Sequence, residues 1–177
     1  MKIVVISSSP HKNGTSATLV NQFIRGAEEV GHEVFRFDAA FEDVHPCVAC
    51  YKCVDSEEGC VFKDSMEKLN PHLIECDLIA FATPIYYYNM NAQLRMVIDR
   101  FFANNTKIAG NKKTVLMMTC EDDLTESVDG PIVSYKNMIK YLKWEDCGII
   151  AALCCGDVEA MEKTDYPQQA YELGKRL

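Results

Sequence analysis

The chain lacks an apolar run long enough to span a bilayer, and it lacks an excess of basic residues: 18 Lys and Arg stand against 26 Asp and Glu, a formal charge of −8 at pH 7. A spanning helix needs about 20 consecutive apolar residues, and a nucleic-acid or anionic-membrane face needs clustered cations that release counterions. Neither partner is expected. The start, Met1-Lys2, leads straight into a strand-like run without the sections of a secretory signal, so a cytoplasmic location is expected. There is no internal repeat and no low-complexity linker, so residues 1–177 read as one domain, long enough to bury a sizeable core. Missing too are the Gly-x4-Gly-Lys-Ser/Thr phosphate loop and the Gly-x-Gly-x-x-Gly dinucleotide turn.

Apolar strand-like runs at residues 2–6, 32–37, 77–82, 114–119 and 148–154 alternate with helix-like stretches near residues 16–30, 64–75, 92–102, 131–144 and 166–177. The first, third, fourth and fifth runs are near-continuously apolar, as strands covered on both faces require. The expected fold is therefore α/β: an open, doubly wound, five-stranded parallel sheet in the order 2-1-3-4-5, with helices on both faces. Such sheets bind ligands at the carboxyl ends of their strands, beside the switch point between the first and third.

The first run feeds Ser7-Ser8-Ser9-Pro10-His11-Lys12-Asn13-Gly14-Thr15-Ser16, a hydroxyl-rich loop that opens a helix. Free backbone N–H groups and the positive helix end suit an anion, a phosphate above all. The loop contains no cysteine or carboxylate, so binding rather than nucleophilic attack is its role. The plain alternative is a Ser/Thr-capped turn without a ligand. After the third strand come Thr83-Pro84-Ile85-Tyr86-Tyr87-Tyr88-Asn89, whose tyrosines offer flat apolar surface with polar tips to a planar ring system, or else cover a sheet end or subunit contact. Flavin mononucleotide (FMN) fits both loops.

Nine cysteines are many for a chain too long to need disulfide staples. Four lie in the irregular stretch 38–63, a cysteine-rich loop insertion, as Cys47-x2-Cys50-x2-Cys53-x6-Cys60. Three readings stay open: a four-iron (4Fe-4S) cluster, whose ferredoxin run the first three spacings match; free or oxidisable thiols; and zinc. Cys76, Cys120, Cys147, Cys154 and Cys155 read as buried thiols, and Trp144 as core or interface. The acidic residues Glu121-Asp122-Asp123 read as a solvated turn capping the next helix; near a flavin they would instead lower its potential. Leu94, Val97, Ile98, Phe101 and Phe102 give one helix more apolar surface than a single sheet face absorbs, so a homodimer is expected. No role is assigned to His32, His45 or His72.

Residues 9–16 resemble the Ser-Pro-Arg-x-x-Gly-Asn-Thr phosphate loop, and Thr83-Pro84-Ile85-Tyr86 through Ile98-Asp99-Arg100 resembles the ring-binding segment, of flavodoxin-like NAD(P)H-dependent FMN reductases. The four-cysteine run points to the branch that includes iron-sulfur flavoproteins. The resemblance covers roughly residues 1 to 120. It implies a flavodoxin-like fold in which Ser9, His11, Thr15 and Ser16 hold the phosphate, His11 standing where the family has arginine and Thr15 where it has asparagine. It further implies that Pro84, Ile85, Tyr86, Tyr87, Tyr88 and Asn89 line the isoalloxazine. The activity implied is hydride uptake from NADH or NADPH, then electron transfer to a second acceptor such as a quinone, a flavin, another small molecule or an iron-sulfur centre. The flavin carries that chemistry, so no catalytic acid or base is named. A non-catalytic flavin or iron-sulfur electron carrier, or a redox-responsive protein, is the alternative.

Overall fold

The computed structural model describes residues 1–56 and 59–177. Strand β1 (Lys2–Ser7) is buried at every position after Lys2. Ile3 and Val5 face one layer of helices while Val4 and Ile6 face the other, the period of two that a strand imposes. Helix α1 (Thr15–Glu29) returns the chain to β2 (Glu33–Asp38), which pairs in parallel with one side of β1. The long connection that follows holds a 3-10 turn at Ala39–Phe41 and a short helix, α2 (Lys52–Asp55), before α3 (Met66–Glu75).

Strand β3 (Leu78–Tyr86) takes the other side of β1 and ends in a hairpin with the two-residue strand β4 (Asn89–Met90). Helix α4 (Ala92–Arg100), a 3-10 turn at Phe101–Asn104 and α5 (Asn105–Ile108) lead to β5 (Lys113–Thr119), then α6 (Glu126–Leu142), β6 (Glu145–Ala152), α7 (Val158–Glu162) and α8 (Tyr166–Lys175). The sheet order is β2-β1-β3-β5-β6. That is the expected parallel arrangement 2-1-3-4-5, with β4 as an added antiparallel strand that shifts the numbering.

The core lies on both faces of this sheet. Leu19, Val20 and Phe23 of α1 pack with Leu173 of α8 on one side. Leu69 of α3, Leu94 of α4 and Tyr135 of α6 pack on the other. Among the described residues no helix is long and apolar enough to cross a membrane.

The boundaries that differ have local causes. Helix α6 starts upstream of Pro131, where Glu126 and Asp129 supply the negative charge that a first turn favours. Trp144 follows the helix rather than ending it, past a left-handed Lys143, and its Nε1–H donates to Ile108 O at 2.7 Å. Strand β6 begins at Glu145 rather than residue 148, because the register shifts against β5 where Gly148 takes φ +149° and leaves Cys147 unpaired. Cys154 is a correction: it lies past the strand end, with φ +57°, and is exposed, whereas Cys76, Cys120 and Cys155 are buried and Cys147 is half-buried. Leu94, Val97 and Phe101 are absorbed by the core, which reduces the surplus read for a homodimer contact to the half-buried Ile98 and the exposed Phe102.

Candidate functional site

The loop between β1 and α1 crosses the carboxyl end of the sheet. Helix α1 starts without a side-chain cap: Gly14 is its N-cap residue, and the N–H groups of Thr15 and Ser16 have no partner among the described residues. A 15-residue helix with a bare N-terminus presents donors and a positive end to an anion. Gly14 is needed for space, since a Cβ there would stand 2.9 Å from His11 Cβ. The Ser9 hydroxyl accepts from His11 N–H at 3.2 Å, closing the turn while keeping its own proton to donate.

A cavity of about 710 Å³ opens over this loop, lined by Ser9 to Thr15, by Pro84, Ile85 and Tyr86, and by Thr119, Glu121 and the 155–158 turn. A second, of about 480 Å³, adjoins it through Ile85, Tyr86 and Glu121 and is completed by Tyr87, Tyr88, Cys120, Asp122 and Ser127. The two expected loops therefore meet at one sheet end, and a mononucleotide fits there: bare N–H groups and hydroxyls at one side, aromatic wall at the other. Ser9, His11 and Thr15 line the larger cavity, and Pro84 to Tyr88 line one or both. Ser16 is different: its buried hydroxyl bonds that of Thr119 at 2.8 Å, so only its backbone N–H faces the loop. Asn89 is in neither lining; its side chain accepts from Met90 N–H at 2.9 Å and supports the hairpin.

Tyr87 and Tyr88 form the two-residue turn between the paired Tyr86 and Asn89, both with positive φ, +48° and +59°. Left-handed pairs match the twist of a hairpin, but Asn and Gly normally fill them. Bulky residues there are strained, and Tyr87 is fully exposed at the tip. Helix α6 approaches so closely that a Cβ at Gly130 would lie 2.9 Å from Tyr88 O.

Asn91 ties the loops together. Its Nδ2 donates to Ser8 O at 2.6 Å, its backbone N–H donates to Thr83 Oγ1 at 3.2 Å, and its Oδ1 accepts from Leu94 N–H at 3.2 Å, capping α4. The only advance signal for it is an Asn immediately before an amphipathic helical run. The 155–158 turn also lines the cavity unannounced. The acidic turn does not cap the next helix, since α6 starts after Thr125 without a side-chain cap: Asp122 accepts from the Ser127 hydroxyl and from Leu124 N–H, which holds its carboxyl below the usual range, while Glu121 lines both cavities.

The four loop thiols share one small cavity, about 20 Å³, with Val48, Tyr51, Val61, Phe62 and Phe102. Cys47 and Cys50 are exposed, Cys53 and Cys60 half-buried, and all are free thiols. Burial first, and the neighbouring thiols after it, push the Cys53 thiol up. Among the described residues no three His, Cys, Asp or Glu side chains stand close enough to share one ion. The loop is pinned from α4: Arg100 Nη1 donates to His45 O at 2.8 Å and to Asp64 Oδ2 at 2.5 Å, and Nη2 donates to Asp64 Oδ1 at 3.2 Å. Its guanidinium also lies over the Phe62 ring, 5.2 Å from the centroid. Burial pushes the Asp64 carboxyl up, but bonds from Arg100 and from two backbone N–H groups outweigh it and leave the carboxyl below its usual range.

Fold and site define a doubly wound α/β protein with a hydroxyl-rich loop, an uncapped helix N-terminus and an aromatic cleft at its switch point. The family described as NADPH-dependent FMN reductase matches residues 1–125, and the chain belongs to that family. Similar curated proteins include an iron-sulfur flavoprotein of Methanocaldococcus jannaschii, 35% identical over 111 residues (61% of this chain, 56% of that protein), and one of Methanosarcina thermophila, 35% identical over 100 residues (56% and 52%). The chain spans about half the length of these relatives. An NAD(P)H:quinone oxidoreductase from Methanothermobacter marburgensis has the same fold, with TM-score 0.74 and 16% identity over 99% of this chain and 96% of that one. So does an azoreductase from Bacillus anthracis, with TM-score 0.75 and 12% identity over the whole of both.

Proposed function

We propose that the protein is an FMN-dependent oxidoreductase that takes a hydride from NAD(P)H and passes electrons to a second acceptor. The observation that carries this reading is the uncapped α1 N-terminus opening into a cavity whose far wall is the Pro84–Tyr86 segment. When bound, FMN supplies hydride and electron-transfer chemistry; the protein supplies position and access. The N–H groups of Thr15 and Ser16, with the Ser9 and Thr15 hydroxyls, bind the phosphate, and His11 and Lys12 add donors. Pro84 to Tyr86 confine the ring, while Asn91 holds both loops in register. The Cys120–Asp122 edge leaves one side of the cleft open to a partner molecule. The test is anaerobic mixing of FMN-loaded protein with NADH or NADPH. Bleaching of the flavin band by reduced nicotinamide alone supports an enzyme, whereas bleaching only with an added reductase means an electron carrier.

The cysteine loop supports a further part of this reading, in which Cys47, Cys50, Cys53 and Cys60 ligate a 4Fe-4S cluster. All four thiols line one cavity of about 20 Å³, which would have to open to admit a cubane, whose ligand sulfurs stand farther apart than those around one ion. The names of the similar archaeal flavoproteins favour a cluster over zinc.

A further inference from the structure

We propose that the smaller cavity, walled by Tyr86 to Tyr88 and edged by Glu121 and Asp122, seats the electron acceptor and selects uncharged or cationic aromatic acceptors over anionic ones. The inference rests on the functional reading above, which leaves the acceptor open. At about 480 Å³ the cavity suits one small aromatic molecule, and tyrosine faces stack against planar rings. It shares Ile85, Tyr86 and Glu121 with the phosphate-loop cavity, so an occupant adjoins whatever that cavity holds. Among the described residues no Lys, Arg or His lines it. Asp122 is held ionised by the Ser127 hydroxyl at 2.6 Å, and Glu121 is exposed without a basic partner among the described residues.

An anion entering this cleft meets two carboxylates and no counter-charge among its lining residues. The basic residues of the site, His11 and Lys12, line the other cavity. A quinone seated here gains two electrons and two protons and leaves as the hydroquinone, and the reduced FMN gives up the same two electrons and two protons.

The experiment uses FMN-loaded protein reduced photochemically, so that no nicotinamide is involved, and mixed by stopped flow with three naphthoquinones: uncharged, sulfonated and trimethylammonium-bearing. Dividing each rate by that of free reduced FMN with the same quinone removes differences in potential. The sulfonate's normalised rate is expected about tenfold below that of the uncharged quinone at low ionic strength and to rise with salt, while the cation's rate falls. Glu121→Lys should raise the ratio of sulfonate to uncharged rates about tenfold. Equal normalised rates with no salt dependence, or a ratio that Glu121→Lys leaves unmoved, would overturn the inference. Failure to take up FMN would instead overturn the functional reading beneath it.

Discussion

Asn91 contacts Ser8, Thr83 and the first turn of α4, and it is nearly inaccessible. Asn91→Ala removes a helix cap, about 1 kcal/mol, and leaves the buried Ser8 carbonyl short of a partner, about 1–3 kcal/mol more, whereas the Thr83 hydroxyl keeps its bonds to the residue-91 backbone N–H and to Pro84 O. A loss of roughly 2–4 kcal/mol in urea unfolding is expected, with weaker FMN retention. Stability within 0.5 kcal/mol of the parent, roughly the scatter of a neutral surface change, would mean that the tie is not needed. His11→Arg makes the opposite kind of change, placing a permanently charged fork beside the phosphate. Titration should show FMN bound more tightly by the variant, above all at pH 8. An unchanged affinity would mean that residue 11 points away from the phosphate. Ser9, His11, Thr15 and Pro84 to Tyr88 were legible as members of two loops that meet at one sheet end, because hydroxyl-rich and aromatic loops after apolar strands stand out in a sequence. Asn91 and the 155–158 turn were not: their places arise where separate strand ends meet, and one sequence does not display that meeting.

Helix α4 spans from Asn91, beside the phosphate loop, to Arg100, which clasps the cysteine-bearing connection; nine residues rise roughly 13 Å. The buried Arg100–Asp64 pair therefore fixes the connection to the body of the protein. Asp64→Ala leaves a buried guanidinium unpaired and should cost about 3–5 kcal/mol. Because the carboxyl lies below its ordinary value of 3.8, the pair's stabilisation is complete at neutral pH. It is lost as the pH falls below that value and through the lowered one. Acid titration of the parent and of Asp64→Asn should differ in that window; superimposable curves would contradict the assignment. The Tyr87-Tyr88 turn works the other way, since strain is retained where the aromatic wall stands. Tyr88→Gly should raise stability in urea unfolding by about 1 kcal/mol. A variant no more stable than the parent would show that the turn is not strained. The hairpin escaped the sequence reading because Tyr-Tyr is not a turn dipeptide, and the bulge at Cys147 because nothing local marks it except Gly148. The five parallel strands were plain, since each is an apolar run of strand length.

At the scale of the whole molecule, the sheet gathers the β1–α1 loop and the Tyr86–Asn89 hairpin at one end while the far end of α4 holds the cysteine connection, and the account stands on what they hold. If the cysteine connection carries a cluster, protein purified without oxygen should contain about four irons per chain. Cys50→Ala should abolish them without removing FMN, because the flavin loops are built from other elements. Absence of iron after anaerobic reconstitution would leave the loop as free thiols. The central claim concerns the phosphate, and comparing FMN with riboflavin on flavin-free protein tests it most directly. One FMN should bind per chain, with riboflavin weaker by roughly a hundredfold, equivalent to about 3 kcal/mol of charge-assisted hydrogen bonds to the uncapped helix end. Equal affinity for the two flavins would contradict the account, because the loop between β1 and α1 would then not be reading a phosphate.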